Sequence, residues 1–173
     1  MIGPISQIGP ILLTTEETTD HFMIHVALFE PEIPPNTGNI ARLCAATRVP
    51  LHIVGVTGFR LDDRAVKRAG LDYWPEVILH RHPDLYSLYS DLPDARFVYL
   101  SKKAERSYTT WPFTDSECLV FGSETRGLPT ELLEANWQNC LKIPLLNPKV
   151  RSLNLATAVA MVLGEALRQT GLF

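Results

Sequence analysis

No Cys-x-x-Cys pair occurs in the 173 residues, and the three cysteines, Cys44, Cys118 and Cys140, are odd in number and widely spaced. Zinc-ribbon and thioredoxin-type chemistry is thereby excluded, and a reduced protein with buried thiols is expected. No apolar run approaches the ~18 residues of a membrane-spanning helix. The start, MIGPISQIGPILLTTEE, lacks a basic n-region and carries two prolines, so it makes a poor secretory signal. What is present is ordinary for a globular chain. It is 46% hydrophobic and 20% charged, with length for one domain and one core.

Neither sign of charge dominates: 16 Lys and Arg stand against 19 Asp and Glu. Residues 1–22 hold Glu16, Glu17 and Asp20 and no Lys or Arg, so from Met23 onward the signs are equal at 16 each. A neutral body gives no bulk electrostatic reason to expect nucleic acid. Such a partner needs a local basic surface, or one assembled from two subunits. Residues 1–22, rich in Gly, Pro, Thr and Glu and without periodicity, read as an N-terminal extension to a domain over 23–173. Met23 opens a strong strand and could itself be a translation start. His80-Arg81-His82 would set two imidazoles on one side of an extended segment, but no third ligand completes a site, so no metal is expected.

From Met23 the pattern alternates. Strands are expected at 24–29, 51–56, 76–79, 96–101, 118–122 and 140–145, and helices near 37–48, 61–70, 83–91, 129–135 and 152–169. The implied fold is α/β, a mostly parallel sheet with helices on both faces. Ligands in such sheets bind beyond the carboxyl ends of the strands, here the loops after residues 29, 56, 101, 122 and 145.

Three segments carry chemistry-bearing side chains. In EPEIPPNTGNIARLCAATR (30–48), Asn36 or Thr37 can cap a helix, and Arg42 sits within its first two turns. Arg42 there could reach an anion or a hydroxyl, or serve only as a surface ion-pair partner. In FGSETRGLP (121–129), Gly122 and Gly127 mark tight backbone, and Glu124 and Arg126 set opposite charges at a strand end. The loop is neither a Walker loop nor a G-x-G-x-x-G fingerprint; it could hold a nucleotide-like ligand or be a plain strand-to-helix turn. In IPLLNPKVRSLNLATAVAMVLGEALRQ (143–169), Ser152 is the expected N-cap of a helix rich in small residues and apolar on most sides, buried against the sheet or a partner subunit. A well-capped core helix leaves the polar cluster Arg151, Ser152 and Asn154 unexplained.

NTGNIAR, FGSETRGLP and IPLLNPKVRSLNLATAVA, in this order, resemble the three motifs of SPOUT-superfamily RNA 2′-O-ribose methyltransferases. The opening ALFEPEIPPNTGNIARLCAAT and the stretch GFRLDDRAVKRAGLDYW (58–74) are most similar to the tRNA (cytidine/uridine-34) 2′-O-methyltransferases. The resemblance spans about 23–169. It implies a deep C-terminal trefoil knot that forms an S-adenosylmethionine pocket, S-adenosylhomocysteine as product, no metal, and a cytoplasmic homodimer with its active site near the subunit interface. Its substrate would be the wobble nucleotide in the tRNA anticodon stem-loop. Another tRNA or rRNA position, or a non-catalytic RNA-binding dimer, is the alternative. By motif position, Arg42 would activate the ribose hydroxyl, as a base or by stabilising the alkoxide. Asn36, Glu124, Ser152 and Asn154 would complete the catalytic set. Leu100, Gly122, Gly127, Ile143, Leu145 and Ser152 would line the donor pocket. Arg64, Lys67, Arg68 and Arg151 would grip RNA phosphates, with Arg60, Lys102, Lys103 and Arg106 as further basic candidates. Asp62, Asp63, Asp72 and Glu105 lie among them, so a plain solvated face is the other reading. The NPKV stretch departs from the expected form of the third motif.

Overall fold

The computed structural model describes residues 24–59 and 73–172. Seven parallel strands form one sheet: β1 (His25–Phe29), β2 (Leu51–Val54), β3 (Leu79–His82), β4 (Arg96–Leu100), β5 (Arg106–Ser107), β6 (Glu117–Phe121) and β7 (Cys140–Lys142). Their order is β3-β2-β1-β6-β4-β7-β5. The helices are α1 (Pro34–Thr47), α2 (Leu85–Asp91), α3 (Thr130–Ala135) and α4 (Leu155–Gln169). The expected helix over 61–70 lies outside the described residues.

Period-two side chains explain the layers. Val26, Leu28, Leu51, Ile53, Leu119 and Phe121 face one side, against Ile40 and Cys44 of α1 and Val159, Leu163 and Leu167 of α4. Ala27, Val54, Tyr99, Cys118 and Val120 face the other, against Leu88 of α2 and Leu133 of α3. Both faces are therefore covered, as a parallel sheet requires. All five residues of β6 are buried between β1 and β4, including Glu117 at its first position. That carboxylate accepts from Arg96 Nε at 2.9 Å and from the Thr114 amide at 3.2 Å.

Several sequence expectations shift. The third strand is 79–82, because Trp74–Glu76 forms a 3₁₀ turn around Pro75. The strand expected over 140–145 ends at Lys142, and the two-residue β5 was not expected. The first helix starts at Pro34, with both prolines in its first turn, where a missing N–H costs nothing. Neither Asn36 nor Thr37 caps it; its N-cap is Ile33, without a side-chain bond. Ser152 is not the cap of the last helix either. Asn154 is, its Oδ1 accepting from the amides of Ala156 at 2.9 Å and Thr157 at 3.3 Å. The last strand, β7, inserts between β4 and β5, so the C-terminal segment returns into the sheet between two strands that are neighbours in sequence.

The three cysteines are free and buried. Burial pushes the Cys44 thiol up to about 12, which leaves it unreactive. His25, His52, His80 and His82 form a row on the α2 face. His25 Nδ1 is 2.9 Å from His52 Nε2, His52 Nδ1 is 2.9 Å from His82 Nε2, and the His80 ring stacks on His52 with centroids 4.8 Å apart. Burial, then the neighbouring imidazoles His25, His80 and His82, lower His52 from the usual histidine value to about 3. Burial also lowers His82, against the opposing pull of Asp91. The unfolded chain protonates His52 near pH 6.5 and the folded chain only near 3, so its contribution is fully present above 6.5 and is lost as pH falls through that window. Chemical denaturation should show stability falling by about 2 kcal/mol between pH 7 and pH 5 from His52 alone. His52→Gln should reduce that slope, and a flat profile in the unsubstituted protein would contradict the assignment.

Candidate functional site

β1 and β6 are adjacent and parallel, yet the chain leaves them toward opposite faces: α1 packs on one, α3 on the other. Diverging loops at such a point leave a crevice beyond the strand ends. A cavity of about 500 Å³ occupies it. Leu100, Gly122, Gly127, Ile143, Leu145 and Ser152, the six donor-pocket candidates, all line this cavity. Asn36, Glu124, Asn154 and Arg151 line it as well.

The loop after β6 has the shape its glycines dictate. Ser123 and Gly127 form a bridge, and Gly127 has φ +70°. A Cβ on Gly122 would collide with the backbone of Gly127 and Leu128, so a side chain there forces the loop open.

Hydrogen bonds tie the three motifs into one network. Glu124 accepts from the amides of Glu32 at 2.8 Å and Ile33 at 3.2 Å, and from Asn36 Nδ2 at 3.0 Å. Asn36 Oδ1 accepts from Asn154 Nδ2 at 2.8 Å, and Asn154 Oδ1 caps α4. Asn36 is buried, so losing either partner would strand a polar amide. The loops also clasp in the reverse sense. Glu32 accepts from the Thr125 amide at 3.1 Å and from Thr125 Oγ1 at 2.7 Å, and Glu30 accepts from Arg126 Nη2 at 3.0 Å. The sequence reading missed Glu30 and Glu32; their signal was a pair of carboxylates flanking Pro31 at a strand end.

Arg42 stands apart. It is exposed on α1, six residues after Asn36, and is not among the cavity-lining residues. Ser152 is exposed at the rim, with Arg151 beside it. Lys102 and Lys103 add positive charge to the lining. Arg106 does not belong with them: its guanidinium sits 4.6 Å over the Trp111 ring and donates to the Thr110 carbonyl at 3.0 Å. Arg60, Arg64, Lys67 and Arg68 lie outside the described residues.

Residues 23–164 match the model of the SpoU rRNA Methylase family. The tRNA (cytidine(34)-2'-O)-methyltransferase of Saccharophagus degradans is 45% identical over 152 residues, 86% of this chain and 97% of that protein. The Escherichia coli protein of the same name is 43% identical over 150 residues, 86% and 95% of the two chains. A solved structure described as giving insights into the 2-OH methylation of C/U34 on tRNA superposes with a TM-score of 0.80 at 46% identity, covering 86% of this chain and 96% of that one. An AdoMet-bound rRNA methyltransferase from Sinorhizobium meliloti superposes with a TM-score of 0.75 at 25% identity, over 84% of this chain and 56% of the other. The chain belongs to the SpoU rRNA methylase family and, within it, to the tRNA (cytidine/uridine-34) 2′-O-methyltransferases.

Proposed function

We propose that this protein methylates the ribose 2′-hydroxyl of the wobble nucleotide, position 34, of tRNA, with S-adenosylmethionine as donor. The observation that carries the reading is the chain Glu124–Asn36–Asn154 at the mouth of the cavity, which gathers all three motifs at one place. The cavity suits the donor: about 500 Å³ falls within the ~300–1,000 Å³ of small-molecule sites. Leu100, Ile143 and Leu145 offer apolar walls for a purine, and the turns at 122–127 and 143–145 offer backbone polar groups. Bound there, S-adenosylmethionine supplies a sulfonium methyl that an attacking 2′-oxygen takes, leaving S-adenosylhomocysteine.

The protein's own share is alignment and charge. Arg42 stabilises the developing charge on the 2′-oxygen as the hydroxyl gives its proton to solvent. Asn36 and Glu124 fix the first turn of α1, and Arg42 projects from the same helix about two turns further on. Asn154 holds the third motif against them, and Ser152 stands at the cavity rim. Because Arg42 is outside the cavity of its own chain, the reading includes a homodimer that brings it to a donor site. The outer face of α4, with exposed Thr157, Ala160 and Met161, is small and apolar enough to pair. Lys102, Lys103 and Arg151 would hold anticodon stem-loop phosphates without reading bases. A tRNA substrate fits a reaction in the cytoplasm. Among the described residues no helix is long and apolar enough to cross a membrane.

Mass mapping of tRNA after incubation with protein and labelled donor should find the methyl on the ribose of nucleotide 34; label elsewhere, or none, rejects the reading. Arg42→Ala should cut turnover at least ~100-fold while S-adenosylhomocysteine affinity by calorimetry changes less than ~3-fold, the pattern of a group acting on the transition state alone. Glu124→Gln sets an amide against amide donors and should cost about 1.5–3 kcal/mol of stability by urea denaturation. Sedimentation equilibrium should return twice the 19.4 kDa chain mass, and a monomer at micromolar concentration would count against pairing.

A further inference from the structure

We propose that Tyr73 is the positioning residue for Arg42; the proposal rests on the role given to Arg42 above. Tyr73 stands at the entry to the 3₁₀ turn Trp74–Glu76, which packs against α1. Its phenol donates to the carbonyl oxygen of Gly38 at 3.1 Å. Gly38 lies four residues before Arg42, so in an α-helix this same carbonyl accepts the Arg42 N–H. The ring is thus anchored to the turn that carries the arginine. The Arg42 guanidinium carbon lies 5.6 Å from the ring centroid, within the ~6 Å reach of a cation–π contact.

The two contacts divide the work. The hydroxyl fixes where the ring stands, and the ring face limits where the guanidinium points. An exposed arginine without such a partner spreads over many rotamers. A ring-face contact engages the delocalised charge and uses up no N–H, so the donor fork stays available to a ribose oxygen. Tyr73 touches neither donor nor ribose in this scheme; it acts through Arg42.

The test uses the full-length protein with Tyr73→Phe and Tyr73→Leu. Phe keeps the ring and loses the hydroxyl; Leu loses both. Tyr73→Leu should lower kcat about 3- to 10-fold, leaving the KM for tRNA and the affinity for S-adenosylhomocysteine within ~2-fold, whereas Tyr73→Phe should keep at least about half of kcat. A readout free of catalysis goes with it: the Arg42 Hδ and Hε resonances should carry a ring-current shift in the unsubstituted protein and in Tyr73→Phe, and lose it in Tyr73→Leu. Unchanged kcat in Tyr73→Leu, or a loss that falls on KM or donor affinity, overturns the proposal. So does absence of the shift in the unsubstituted protein, whatever its activity. Should Tyr73→Leu fail to fold, the shift in the unsubstituted protein and in Tyr73→Phe decides. An unsubstituted protein that shows the shift but does not methylate tRNA sinks the activity and not the contact.

Discussion

The carboxylate of Glu124 is the point on which the site turns. The loop after β1 ends in Pro34-Pro35, and α1 begins there with no cap of its own. The amides of Glu32 and Ile33 would otherwise point unpaired at the crevice. One side chain from the neighbouring loop takes both and adds the Asn36 amide. A charged acceptor serving several N–H donors is among the stronger hydrogen-bonding arrangements available to a protein. Glu32 returns the favour to Thr125, so the two loops hold each other by exchanged carboxylates.

The rigidity extends beyond that pair. Asn36 has its oxygen committed to Asn154 and its nitrogen to Glu124, and Asn154 uses its own oxygen to cap α4. Helices α1 and α4 pack together on one face of the sheet, so their N-termini are set both by apolar packing and by one polar chain. Residues 118 positions apart in sequence become neighbours at 2.8 Å. The two walls of the cavity are thereby tied to each other through Asn36.

Away from the site, the same sheet carries groups that serve the fold. Glu117 is buried at the head of the central strand, and Arg96 and Trp111 close over it; Arg96 and Arg106 flank the same indole. The histidine row fills the opposite face of β1, β2 and β3, where period-two alternation would ordinarily place aliphatic side chains. Neutral imidazoles can donate and accept at once, which lets them share a sheet face, and burial makes a proton on His52 or His82 costly.

Much of this was written locally. Alternation of apolar runs with helical spacing determined the parallel α/β class, because side-chain period is a property of each segment alone. The three motifs determined the family and named Asn36, Glu124, Ser152 and Asn154 as one group. Helix entry points were misread for a physical reason: Asn36 has the composition of a cap, but its amide bonds across the crevice to Glu124, and Ser152 yielded the cap of α4 to Asn154 two residues on. Arg106 was legible as a cation and not as a partner of Trp111. Only the tertiary structure decided those pairings, the return of β7 between β4 and β5, the clasp by Glu30 and Glu32, and the place of Tyr73 over Arg42. Each joins groups far apart in the chain, and a spacing rule carries no information on which distant donor will find which acceptor until the sheet order is set.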